Sequence, residues 1–195
     1  MVDNLGYPVL IDLGFAKYVP DKTYTCCGTP MYMAPEVINF TGHDKGADHW
    51  SWAAMVFEMV TGHYAFYNSG IDEVTMYKRI CRGEFKVNGE MSFEVKLLFI
   101  SMFVPDSSKR LGARNAGWQD IFKSPWFSDL DLKKMRKRDL TAPWVPKIKN
   151  PLDSSNFEGV KGVEDKMKTD GPAVSAEDQK MFSVFGPMID IASCQ

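Results

Sequence analysis

The chain has 195 residues, 45% hydrophobic and 13% aromatic, which is enough apolar material for one folded domain with a substantial core. A formal charge of −2 excludes a global pull towards nucleic acid or anionic lipid, and leaves "KKMRKR" at 133–138 as a local basic cluster, read as a solvated face with nuclear import or phosphate binding as the alternative. Cysteines at 26, 27, 81 and 194 suit neither a disulfide framework nor a zinc site, and no leader pattern or membrane-length apolar run is present, so a cytoplasmic protein without a membrane partner is expected, with the nucleus as alternative.

In chain order, "YPVLID" at 7–12 follows the turn-like "DNLG" and reads as a short buried strand, the second half of a hairpin. Such a hairpin, begun midway, is expected to mark a truncation, with Met1 an internal methionine. Residues 18–36 carry Pro20, Gly28, Pro30 and Pro35, which forbid a long regular element. A loop of about twenty residues inside a compact domain is usually functional. The stretch "HWSWAAMVFEMVTG" is apolar on nearly all sides, predicting a helix over 49–60 that is buried all round and ended by Gly62.

A helix in "IDEVTMYKRICRG" places Ile71, Val74, Tyr77, Ile80 and Cys81 on one stripe, and another is read in "SFEVKLLFISMF". Short helices at about 107–127 end at "SPWF", and from Leu140 the helical periodicity fades into an extended tail. No internal repeat is evident.

Three ordered stretches, "DLGFAK" at 12–17, "CGTPMYMAPE" at 27–36 and "DHWSWA" at 48–53, resemble the second half of a eukaryotic protein kinase catalytic domain. The resemblance continues through "SKRLG" at 108–112 and "PWF" at 125–127. It sharpens to the AGC group of serine/threonine kinases, near the cyclic-nucleotide-dependent enzymes, through "GFAK", "TYTCCGTP" and the tail "APWVPKIKNPLDSSNF". The fold so implied is α+β for the family. For this chain it is a partial, mainly α C-terminal lobe with a short N-terminal hairpin remnant and an extended AGC-type tail. Residues 1–127 would be the partial kinase domain and 128–195 the tail.

Site roles follow from the resemblance, each with a physical reason. Asp12 resembles the aspartate that binds magnesium on the ATP phosphates, where a hard oxygen ligand offsets developing charge. The alternative is a plain turn residue. Leu13 stands where the family usually has Phe, and Gly14 closes the turn. Thr25 occupies the position of an activating phosphothreonine, with Lys17 as a basic partner. Thr29 resembles the threonine that hydrogen-bonds the catalytic aspartate and lysine. Cys27 is read as an inert packing residue, with an oxidisable thiol as the alternative.

Glu36 and Arg110 resemble the ion pair at the base of the activation segment, in which removing one partner costs about 3 to 5 kcal/mol. Asp48 resembles the aspartate that accepts catalytic-loop amides, against a simple helix N-cap. Phe157 matches an aromatic at the adenine edge, and "FSVF" at 182–185 resembles a motif that docks on the upper lobe.

The glycine-rich loop, its phosphate-anchoring lysine and the catalytic loop are not found in these 195 residues. Met31, Lys78, Ala53, "HYAF" at 63–66 and "EGV" after Phe157 also depart from the family pattern, and Lys78 puts a preference for basic substrates in doubt. The resemblance implies a kinase that uses ATP and Mg2+ in its full-length form, acts on protein substrates, and is open to an upstream kinase at Thr25 and a cyclic-nucleotide regulatory domain or subunit. It implies no nucleic-acid partner. This chain alone is expected to bind neither cofactor tightly and to be inactive. The alternative is a kinase-derived binding module without catalysis.

Overall fold

The computed structural model describes residues 1–87, 91–113, 116–150, 153 and 155–157. It divides into two compact units, Met1–Val9 with the chain from Ala142 onward, and Leu10–Thr141. Among the described residues regular structure is helical, and antiparallel pairing is limited to two isolated bridges.

In the first unit, Val2 faces Pro8 in one of these bridges. The Val9 N–H donates to the Met1 carbonyl at 2.8 Å, and the Met1 ammonium returns a bond to the Val9 carbonyl at 3.0 Å. Asp3 Oδ1 accepts the Leu5 and Tyr7 amides, both at 2.9 Å, which fixes the turn. Gly6 sits at φ 86°, and a Cβ there would lie 2.4 Å from both the Ala142 Cβ and the Trp144 carbonyl oxygen. The expected hairpin therefore exists with both arms inside 1–9, but the buried strand over 7–12 does not. Leu10 is 87% exposed and Ile11 and Leu13 are also exposed, because an apolar alternation with one bridged pair has no sheet to pack on. Residues 141–150 hold neither helix nor strand.

The second unit is built on α2, Gly46–Thr61, which ends at Gly62 in the left-handed conformation. Before it come a 3-10 turn at Pro30–Tyr32 and the short α1, Pro35–Ile38, each opened by a proline whose missing N–H costs a first turn nothing. α3, Glu73–Arg82, begins where the Asp72 side chain accepts the Thr75 amide at 2.6 Å, and stops at left-handed Gly83. α4, Phe93–Met102, is capped by Ser92 on the Val95 amide at 3.4 Å. α5, Trp118–Phe122, a 3-10 turn at Pro125–Phe127 and α6, Leu132–Lys137, complete it.

α2 packs on Pro30–Tyr32 and on α4, α1 on α3, and α4 on Pro125–Phe127. The core is aromatic: Trp50 stacks on Phe66 with centroids 5.2 Å apart, Phe66 meets Phe103 edge-on at 4.9 Å, and Phe57 meets Phe99 at 5.1 Å.

Two burial expectations change. α2 is not buried all round, because Met55, Met59 and Val60 are exposed, Met59 at 73%. On α3 the inward residues are Met76 and Ile80, with Ile71 and Tyr77 partly buried beside them, whereas Val74 is 60% exposed. The Asp72 cap sets the helix phase, and in that phase Met76 falls on the core stripe one turn before Ile80.

Candidate functional site

Asp12 begins the site. It is exposed and left-handed at φ 60°, a conformation aspartate tolerates better than most side chains, and its Oδ1 accepts the Gly14 amide at 3.1 Å. A second bond, from the Ala16 amide to the Leu13 carbonyl at 2.9 Å, tightens the turn. Gly14 is not at positive φ; its role is space, since a Cβ there would press on Asp12 Oδ1 at 3.1 Å. Asp12 can thus present one carboxylate oxygen outward. Among the described residues no group of three or more His, Cys, Asp or Glu side chains could hold a metal ion. One outward carboxylate fits Mg2+, which is commonly held by one or two carboxylates together with phosphates and water, but only as one ligand of a set.

The segment that follows is held by its own loop. Thr23 and His43 pair antiparallel through two 2.9 Å bonds, one in each direction, and the Lys17 ammonium donates to the Thr23 hydroxyl at 3.0 Å. Lys17 is therefore placed two residues before Thr25 rather than on it, and Thr25 itself is exposed. Cys27 is exposed too, which overturns the packing reading; it lines a cleft of 480 Å³ with Lys17, Thr23, Thr29, His43 and Lys45. Asp48 and Ser51 of α2 line the same cleft, which Asp12 and Thr25 do not. Thr29 precedes the 3-10 turn, its carbonyl accepting the Tyr32 amide at 3.0 Å while its hydroxyl caps nothing. Asp48 is exposed in the first turn of α2 but does not cap it. Asp44 takes that part, its Oδ1 accepting the Gly46 amide at 2.7 Å.

At the base of the segment Glu36 and Arg110 meet as a forked pair, Nη1 to Oε1 at 2.7 Å and Nη2 to Oε2 at 2.9 Å, with both side chains almost wholly buried. Arg110 also donates from Nη1 to the Gly46 carbonyl at 2.7 Å and from Nε to the Val104 carbonyl at 3.2 Å, and its guanidinium lies 4.9 Å from the Trp50 ring centre. The pair ties α1, the start of α2 and the 104–110 turn to one point, so the loop from Asp12 to Glu36 ends on a rigid footing.

Sequence reasoning did not find Tyr32 and Glu58. The Tyr32 hydroxyl donates to Glu58 Oε2 at 2.5 Å, and the bond to that carboxylate, then burial, pushes the phenol up to about 12. Ser51 Oγ donates to the Tyr32 carbonyl at 2.8 Å, locking the same residue to α2 from its other side. Tyr32 lies inside a quoted motif, but Glu58 sits in an apolar helix 26 residues on, where no local pattern marks it. Glu58 also borders a second cavity of 650 Å³, shared with Tyr64, Tyr67, Arg79 and Glu84.

Phe157 belongs to the other unit and is 46% exposed, next to Asn156, whose side-chain amide donates to the Lys147 carbonyl at 3.0 Å. "FSVF" at 182–185, "EGV" at 158–160 and Cys194 lie outside the described residues.

The pattern that defines the protein kinase domain matches residues 1–127, and the chain belongs to that family. Within it the resemblance is to cyclic-nucleotide-dependent enzymes of the AGC group. The chain is 38% identical over 158 residues to a cAMP-dependent protein kinase catalytic subunit of Dictyostelium discoideum, a match covering 81% of this chain and 24% of that protein. It is 36% identical over 158 residues to cAMP-dependent protein kinase catalytic subunit 2 of Drosophila melanogaster, covering 81% of this chain and 45% of that protein. Against the human cAMP-dependent protein kinase catalytic subunit PRKX it is 37% identical over 158 residues, covering 81% of this chain and 44% of the relative. The chain thus spans less than half of the length of these relatives.

Proposed function

We propose that these residues supply the magnesium-binding turn, activation segment and lower-lobe helices of a serine/threonine protein kinase, which transfers the γ-phosphoryl group of ATP to protein Ser or Thr. The observation that carries this reading is the ordered run from Asp12 to Glu36, with a carboxylate turned outward at one end and the buried Glu36–Arg110 pair at the other. In that role Asp12 would hold Mg2+ on the nucleotide phosphates, and the ion would neutralise charge on the transferring group.

Thr29, which lines the same cleft as Asp48, would orient the reacting groups. Thr25 would be the phosphorylated residue, two positions after Thr23, whose hydroxyl already accepts a hydrogen bond from the Lys17 ammonium. Asp48, exposed and uncommitted to capping, would receive backbone amides of the catalytic loop. Phe157 would reach the adenine edge, residues 128–195 would form the tail, and protein substrates, an upstream kinase at Thr25 and a cyclic-nucleotide regulatory domain or subunit would be the partners.

The 195 residues alone would be inactive, because the aspartate base and the phosphate-anchoring lysine are not among them. The test joins residues 12–195 to the upstream part of the human PRKX catalytic subunit. The chimera should phosphorylate a peptide with ATP and Mg2+, and Asp12→Ala should lower the rate about a hundredfold or more. The purified 195-residue chain should show no incorporation. A folded chimera without activity, or one indifferent to Asp12→Ala, refutes the kinase role. Incorporation by the chain alone refutes its inactivity.

A further inference from the structure

The basic cluster at 133–138 is not used by any part of the kinase reading. It forms α6, Leu132–Lys137, opened by Asp131, whose Oδ1 accepts the Lys133 and Lys134 amides at 3.0 Å each. Lys133, Lys134, Arg136 and Lys137 are exposed, and none has an ion pair or side-chain hydrogen bond among the described residues. At 100° per residue these four cations fall within an arc of about 160°, while Leu132 and Met135, both partly buried, take the other side. Arg138 extends the charge at φ 60°, just past the helix end, where cations are favoured by the helix dipole. Asp129, Asp131 and Asp139 stand on either side of the run in sequence, and the Asp131 carboxylate is engaged by the first-turn amides.

We propose that α6 is a docking surface for a short acidic segment of a partner protein, one carrying a run of about four or more Asp or Glu residues. The size and setting of the patch select this occupant. The chain has 23 Lys and Arg against 25 Asp and Glu; with five of the cations at 133–138, the remainder holds 18 against 25. A long polyanion or a charged bilayer would meet that acidic remainder, whereas an extended run of four residues, about 13 Å long, is close to the helix length of about 9 Å and stays near the cations. The helix also turns its two apolar side chains inward, leaving nothing to insert into lipid and no aromatic face on which a base could stack. Each exposed pair is weak and screened by salt, so binding draws on several at once and falls as salt rises.

The test titrates the full 195-residue chain against a fluorescent peptide of six consecutive glutamates, by anisotropy, beside phosphatidylserine vesicles and a single-stranded oligonucleotide. Saturable peptide binding that weakens with salt is expected. The double variant Lys133→Glu/Lys137→Glu should weaken it about tenfold or more. Lys147→Glu/Lys149→Glu changes net charge equally at exposed positions elsewhere and should leave binding within about twofold. Thermal unfolding of both variants is compared with the parent, and a fold lost only in the α6 variant shifts the comparison to Lys134→Gln/Arg136→Gln. Absent or unsaturable peptide binding, an equal loss in the control variant, or binding to vesicles or oligonucleotide as tight as to the peptide overturns the proposal.

Discussion

His49 is buried, with its ring 4.6 Å from that of Trp118 in an edge-on contact, and its Nδ1 has no hydrogen-bond partner among the described residues. Burial lowers its pKa from 6.5, opposed by Asp48 and Asp44 and aided by Arg110 and Lys45. The folded state therefore holds the neutral ring. As pH falls below the unfolded value of 6.5, the unfolded chain takes up a proton that the folded chain refuses, and stability declines until the lowered folded pKa is passed. Urea midpoints at about pH 7.5 and 5.5 should show this loss, and His49→Leu, which keeps His43 and His63, should show a smaller one. An equal pH dependence in both proteins would remove His49 from the account. The same environment explains Gly112, where a Cβ would sit 2.9 Å from His49 Nδ1.

At the scale of elements, α2 and α3 each stop where a glycine takes over, and the two stops differ in kind. Gly62 after α2 and Gly83 after α3 are both left-handed, at φ 72° and 64°. A Cβ on Gly62 meets open space, while one on Gly83 lies 2.5 Å from the Phe103 carbonyl oxygen. Gly62→Ala should cost about 1 to 2 kcal/mol, the penalty of the left-handed conformation alone. Gly83→Ala should cost clearly more, because α3 must also shift away from Phe103. Guanidinium unfolding of the two variants measures the difference, and equal losses would contradict it.

Element boundaries were readable for the same local reasons: Gly62 as a stop, and Pro30 and Pro35 as the reason no long element crosses 18–36. Burial phase was less so, since Val74 and Met76 are both apolar and only the fixed start at Asp72 decides between them. α6 was overshadowed by its own charge, although Asp131 is a legible cap.

Across the whole molecule, burial is concentrated in one stretch. The buried apolar core runs from Ala34 to Ile121, all within the second unit, while most residues at 10–29 are exposed. Hydrogen exchange followed by mass spectrometry should show peptides within 10–29 exchanging early, and those of α2 and α4 retaining deuterium exchange protection longest. Uniform exchange along the chain would contradict this distribution. A single sharp thermal transition for the 195 residues would favour the binding-module alternative, in which the chain is a self-sufficient fold.

The family and the order of its motifs were legible because Asp12, Gly14, Thr29 and Glu36 stand in short contiguous strings. The partners of Thr23 and Tyr32 were not, because His43 and Glu58 reach them across the fold and carry no signal of their own.

The Arg110 guanidinium joins Glu36 across 74 residues and the Gly46 carbonyl across 64. Contacts of that span demand closure of a large loop before they return any stabilisation, so they form after the local helices during folding. The pair is then a late latch. Glu36→Gln should therefore leave the rate of folding nearly unchanged and speed unfolding in stopped-flow measurements, shortening the lifetime of the folded chain more than its ability to reach the fold; slower refolding with unchanged unfolding would contradict this.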